Sequence, residues 1–445
     1  MAQALRPKLT ESKDTDVTPQ HLTSQECIRR TIWATFVVDC LLSGGKHRPQ
    51  SFQAARLDLS LPMGEKDFTF EAEPDEPSPH LHRLALSTID EVTAAPKLDD
   101  CDKSLRLIIK GLDIWSTLSQ WICDGGRRLE PDNAQSSPWN ESSFWGRMKK
   151  ALDCWRSSMS EKLQYSPTNS NLQAHIARNQ GHPFVFINVI FHLNRLFLHR
   201  EYIPFIPYRC SFPSGPIDPP LLIGQPPEDW WADNSTALFA SAASIIDLLR
   251  AAQLRGVELK TVFVAFCVYS AAVTLLYAQA WPSMAPGVKP PHEDLWWALT
   301  WLDDTGALWK IVKGWRKTFS TVRVIYDHVK SGDTSRFSHP GGHGLEDLED
   351  NINRLAEVPE PGVSGREHAA EMLLNLARQN RASGSVQRRE LDMTETDTTG
   401  QQGDLDDARE TNEFDLDTFI DYDLLAPFMD GSMADMSQLP FDNYC

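Results

Sequence analysis

Metal-binding and redox spacings are missing from this chain of 445 residues. Its eight cysteines, at 27, 40, 101, 123, 154, 210, 267 and 445, include no CxxC, and no two lie closer than thirteen residues apart. That excludes a zinc module of known spacing within the sequence, and most of these cysteines sit in apolar patterns where a free thiol acts as a small hydrophobe, as in a reducing compartment. A global excess of positive charge is missing as well. The 43 Lys and Arg face 61 Asp and Glu, for a net charge of −18, so the chain lacks the basic field that gives non-specific affinity for nucleic acid. There is no hairpin signal and no alternation of strand and helix patterns, and the opening MAQALRPKLTESKDTD is too polar for a secretory signal.

Catalytic signatures are absent too. A scan finds no GxSxG elbow, no HExxH and no paired carboxylates on a clear helix, so an enzyme is not expected. Ser43 to Lys46 (SGGK) imitates the end of a phosphate-binding loop. Cys40 stands where the first glycine would fall, however, and a helical pattern precedes it, so Gly44-Gly45 reads as a helix stop and Arg48-Pro49 as a turn. HPGGHG at 339–344 reads as a loop.

What is present is ample core material, with 41% hydrophobic residues, 14 Trp and 20 Phe. The periodicity predicts an all-α body of about seven helices: one ending near Leu42, then about 102–123 stopped by Gly125-Gly126, 141–163, 183–202, 230–255 stopped by Gly256, 261–281 and 292–330. Residues 46–72 read as an extended connection, the acidic 71–79 prolongs it, and eight prolines between Pro204 and Pro227 impose a surface crossing. From Thr261 to Val288 no residue is charged, long enough to span a bilayer, but polar and small residues dilute it and it reads as a buried core helix, with no membrane expected.

Several strings in order resemble the middle homology region of fungal-specific transcription factors, the helical domain that follows a binuclear zinc-cluster DNA-binding module. They are RRTIWATFVVDCLLSGGKHRPQ at 29–50 with DLSLPMGEKDF at 58–68, WICDGGRRLEP at 121–131, PWNESSFWGRMKKALDCWRSSM at 138–159 and FHLNRLFLHREYIPFIP at 191–207. The resemblance covers about residues 24–330 and implies an irregular multi-helix bundle, with structural roles for Arg30, Trp33, Asp39, Arg48, Pro49, His199, Arg200, Glu201 and Tyr202. It also implies zinc, but the six zinc-ligating cysteines of such modules do not occur here, so no cofactor is evident and DNA would be met only through a missing module or a partner. His192 and His199, seven apart, lack the spacing of a convincing metal pair. Lys310, Lys313 and Lys317, beside Trp309 and Trp315, read as a solvated face rather than a nucleic-acid stripe.

The ends differ from the body. Residues 1–23 are polar and read as disordered, and 331–389 as a linker. Residues 390–445 hold 16 acidic residues and one basic, Arg409, leaving the rest of the chain near neutrality. There Phe414, Leu416, Phe419, Ile420, Leu424, Leu425, Phe428 and Met429 alternate with carboxylates, a pattern resembling an acidic activation domain, whose partners would be transcription coactivators. The expectation is a nuclear transcription regulator of a specific gene set, acting as a homo- or heterodimer. The alternatives are a partner of a full-length relative that binds no DNA itself, and a helical small-molecule sensor.

Overall fold

A computed structural model describes residues 19–43, 50–57, 59–71, 98, 101–130, 134–207, 210–216 and 221–331. Among them the architecture is all-α, and the sole β pairing is an isolated parallel bridge between Leu98 and Met159. The longer helices are α1 (Pro19–Leu42), α2 (Ser104–Asp124), α3 (Phe144–Ser157), α4 (Asn171–Ala177), α5 (Gly181–Arg200), α6 (Trp230–Gln253), α7 (Val262–Ala280), α8 (His292–Gly306) and α9 (Lys310–Ser331). Helix α5 is the centre. It packs between α2 and α6, with α3 and α4 alongside; α7 joins α6 to the α8–α9 pair, and α1 lies on α2.

Local signals explain most boundaries. Gly125 (φ 136°) ends α2 and Gly256 (φ 77°) follows α6 in conformations that glycine adopts without strain. Ser143 caps α3 by accepting from Gly146 N, and Thr261 caps α7 by accepting from Val264 N. Helix α7 is buried along nearly its whole length, so its uncharged sequence is explained by position within the body.

Four expectations need correction. Helix α1 opens at Pro19, not near residue 24, because a proline in the first turn lacks only an N–H that would have had no helical partner. The connection 46–72 is not wholly extended, since helical turns form at Ala54–Leu57 and Glu65–Thr69. The third helix is shorter than 141–163. It starts after the Ser143 cap and stops at Ser157, because Leu98 takes up the following backbone: Leu98 N donates to Ser158 O (3.0 Å) and Ser160 N to Leu98 O (2.9 Å). The stretch 292–330 is two helices, broken at Gly306-Ala307, where Gly306 lets the Lys313 side chain approach closely. The Asn171–Ala177 helix is an addition that no apolar period announced. Arg48 and Pro49, the linker from residue 332 to 389 and the tail 390–445 lie outside the described residues, while Ser331, expected to open the linker, ends α9.

The core is cross-braced by aromatic rings from four helices. Trp115 of α2 meets Phe197 of α5 edge-on at 5.1 Å, Phe197 stacks on Phe266 of α7 at 5.7 Å, and Phe266 meets Trp315 of α9 at 5.8 Å. Helices approach closely at Gly111. A Cβ built there would lie 2.5 Å from the Trp155 ring and 2.8 Å from Ile190 Cγ2, so α2, α3 and α5 meet where only a hydrogen fits. Gly111→Ala is therefore expected to destabilise the body by about 1–3 kcal/mol through overpacking, read as a lower urea midpoint at unchanged slope.

Candidate functional site

The strings that carry the resemblance gather into two polar clusters. The first fastens α1 to residues 50–68. Glu26, fully buried, accepts from Arg30 Nε (3.1 Å), Met63 N (2.9 Å) and the Arg29 guanidinium. Arg30 reaches on to both Glu65 oxygens (2.9 and 3.0 Å) and Met63 O (3.1 Å), with its guanidinium over the Phe68 ring at 4.1 Å. Trp33 donates through Nε1 to Ser60 O (2.9 Å), and Asp39 accepts from Ser51 N (2.9 Å) and Phe52 N (2.8 Å). A connection with only short helical turns of its own thus has much of its backbone bound by side chains of α1, with Asp102 accepting from Lys66 N (2.9 Å) and Arg106 of α2 donating to Pro62 O.

The second cluster surrounds the end of α5. His199 Nδ1 lies 2.8 Å from Asn234 Oδ1, and Asn234 Nδ2 donates to His199 O (3.1 Å). An amide oxygen only accepts, so the imidazole is protonated at Nδ1. Arg200 donates to Ile203 O (2.6 Å), and its guanidinium sits 5.6 Å from the Tyr277 ring centre. Glu201 Oε1 accepts from Arg127 N (2.9 Å) directly beside Gly126 (φ 59°), where a Cβ would collide with that carboxylate. Tyr202 is buried and meets Trp230 edge-on, and Trp145 Nε1 donates to Leu198 O (3.0 Å). WICDGGRR, PWNESSFW and LHREY, far apart in sequence, therefore meet at one corner where α2, α3, α5 and α6 converge.

The arrangement holds elements together more than it presents a reaction centre. His192, one of the seven-spaced pair, is buried with neither ring nitrogen hydrogen-bonded, while His199 is held by Asn234. Among the described residues no three His, Cys, Asp or Glu converge as metal ligands. The nearest approach to a nucleophile pair is Cys101, whose Sγ lies 3.7 Å from His175 Nδ1, with His175 Nε2 3.1 Å from Lys162 O. Cys101 is buried. Lys310, Lys313 and Lys317 are exposed, but Trp315 is buried against Tyr269 and Trp309 donates to Lys260 O (2.9 Å), so the rings turn inward from the lysines.

Glu26, Asn188, Asn194 and Asn234 complete the polar framework and were not singled out from sequence. Asn188 accepts from Tyr165 N (2.9 Å) and donates to Leu163 O (3.0 Å), and Asn194 donates to Gly111 O (3.1 Å). A polar amide inside the otherwise apolar FINVIFHLNRLF is the signal that marks two of them.

Burial drives His192 and His199 down to about 3, with Arg156 and Arg195 adding to the effect on His192 and the Asn234 bond partly opposing it on His199. Both rings are neutral when folded and, near 6.5, begin to protonate when unfolded. The unfolded state therefore binds more protons as pH falls through 6.5 toward 3, and stability present above 6.5 is progressively lost over that window. Each histidine steepens the loss by up to about 1.4 kcal/mol per pH unit. His192→Leu, which removes two unbonded nitrogens, is expected to flatten the decline between pH 6.5 and 5 and to raise stability at pH 5, measured by urea unfolding across that range.

No protein-family model matches the chain, and no solved structure matches it. Curated relatives do. An uncharacterized transcriptional regulatory protein of Schizosaccharomyces pombe is 25% identical over 264 residues, 56% of this chain and 36% of the relative. Two Zn(2)-C6 fungal-type transcription factors of Fusarium oxysporum f. sp. lycopersici, FTF1c and FTF2, are each 24% identical over 60% of this chain, and the matches cover 26% and 23% of those proteins. The chain thus matches only about a quarter to a third of the length of these relatives. Over 55–60% of its own length it is homologous to fungal Zn(2)-C6 transcription factors and transcriptional regulators, as the middle region of such proteins would be.

Proposed function

We propose that this chain is a nuclear transcription regulator of the fungal zinc-cluster type, with residues 19–331 as its helical regulatory body and 390–445 as its activation segment. The observation that carries this reading is the similarity to Zn(2)-C6 transcription factors across more than half the chain. The concentration of the family-like strings at two structural clusters supports it. DNA contact is assigned to a cysteine cluster or partner subunit beyond these residues, because no cysteine pair here has ligand spacing. A regulator that pairs with a zinc-cluster relative and lends it an activation segment is the second reading, favoured by the same cysteine spacing.

Activation would come from the tail. Carboxylates keep Phe414, Leu416, Phe419, Ile420, Leu424, Leu425, Phe428 and Met429 in water until those side chains enter an apolar groove of a coactivator. Residues 390–445 fused to a heterologous DNA-binding module are expected to activate a reporter, and Phe414→Ala with Phe419→Ala and Leu424→Ala to remove most of that activity. A silent fusion, at protein levels verified by blot, would remove the assignment.

A further inference from the structure

Two arginines on the seam between α3 and α5 lack a counter-ion. The helices run antiparallel there. Trp145 of α3 meets His199 of α5 edge-on at 5.4 Å, and at the other end Arg156 donates through Nη1 to Asn188 Oδ1 (3.1 Å) and lies over the Phe191 ring at 4.3 Å. Arg195 sits between those two levels of α5, one turn from both Phe191 and His199. Both arginines are half-buried, partly desolvated yet open to water. The carboxylate that acts on Arg195, Asp153, is already paired with Lys149 (2.7 Å). Among the described residues neither arginine has a carboxylate within 4 Å, Arg195 makes no hydrogen bond, and Arg156 bonds Asn188 alone. Lys149, Arg156 and Arg195 against Asp153 leave an excess of two positive charges at the seam, in a protein whose net charge is −18. His192, three residues before Arg195, lies within the field of both guanidiniums, and its buried ring has no hydrogen-bond partner at either nitrogen. The grouping is costly when empty of an anion: burial, with Arg195 adding to it, lowers Arg156 to about 10, and burial lowers Arg195 against the partial opposition of Asp153.

We propose that the seam at Arg156 and Arg195 is a binding site for a doubly charged oxyanion, the phosphate monoester of a small metabolite, which bridges α3 and α5. Charge and geometry select this chemistry. A dianion cancels the excess of two, whereas a single carboxylate would leave half of it in place. Guanidiniums that reach the seam from separate helices present separate sets of N–H donors, which the several oxygens around one phosphorus accept together. His192 adds an unused imidazole N–H to the same seam. The bound ion staples two helices that otherwise meet here through one amide bond and ring contacts. The site stands apart from the activation segment and from any DNA-binding module, so its failure would leave the proposed function untouched.

Titration of the full chain with inorganic phosphate at constant ionic strength, at about pH 8 where the ion is a dianion, tests it. Calorimetry should show one ion per chain with a Kd on the order of 1 mM, and about 20 mM phosphate should raise the melting temperature by roughly 3–6 °C and then level off. Arg195→Gln removes a side chain that makes no hydrogen bond or ion pair among the described residues, so it should melt like the native chain in chloride. It should also bind phosphate at least about tenfold more weakly and lose the saturable rise. Arg147→Gln, on the exposed face of α3, should bind as the native chain does. General salt stabilisation does not saturate and acts on every variant alike, which separates it from the site. Absence of saturable phosphate binding, or binding retained by Arg195→Gln, would overturn the site. Malonate, a dianion of two carboxylates, should bind more weakly than phosphate, and equal or tighter malonate binding would overturn the phosphoryl assignment.

Discussion

Sixteen of the twenty residues of α5 are buried, and that burial governs the rest of the body. A helix without access to water cannot leave polar groups unpaired cheaply, so each polar side chain on it demands a partner from a neighbouring element. Asn188 binds the residues after α3, Asn194 binds the α2 backbone at Gly111, and His199 binds the start of α6. These bonds fix which neighbours lie where, in a core whose aromatic and aliphatic packing alone would tolerate several arrangements. His192 and the Asn194 Oδ1 are exceptions, and His192 persists without hydrogen bonds because a neutral imidazole can be buried at moderate cost.

The same economy appears at α1, where side chains substitute for secondary structure. Glu26, Arg30, Trp33 and Asp39 bind the backbone of residues 51–63, which forms only short helical turns. A buried carboxylate with two arginines and a backbone amide is stable because all its partners are supplied together. Losing any one would leave the others buried and uncompensated, which ties the connection firmly to α1.

Helices stopped by a glycine, α2 and α6, and the long apolar runs of α5 and α7 were legible in the sequence, and all four lie within a few residues of expectation. Helix α4 was not, because seven residues, NLQAHIA, are too few to establish a period. The split between α8 and α9 was hidden because the amphipathic pattern continues across Gly306, which sequence reasoning tolerates inside a helix. At the second cluster, LHREY pointed to the right corner, but its partners did not show. Nothing local links Asn234 to His199 or Gly126 to Glu201, since those pairings are made by tertiary approach.

The position of α5 also governs the order in which the body can form. Its two main neighbours come from opposite sides of the chain, α2 before it and α6 after the proline-rich crossing. During synthesis at ~5–20 residues per second, α6 follows α5 by roughly 3–10 s. Throughout that interval the α5 face that will meet α6 has no cover. The crossing at 204–227 resembles a domain boundary in composition, yet a chain cut there would strand half a core on each side. The body is thus one folding unit, and a nascent chain paused before residue 253 still exposes the α5 face that α6 covers.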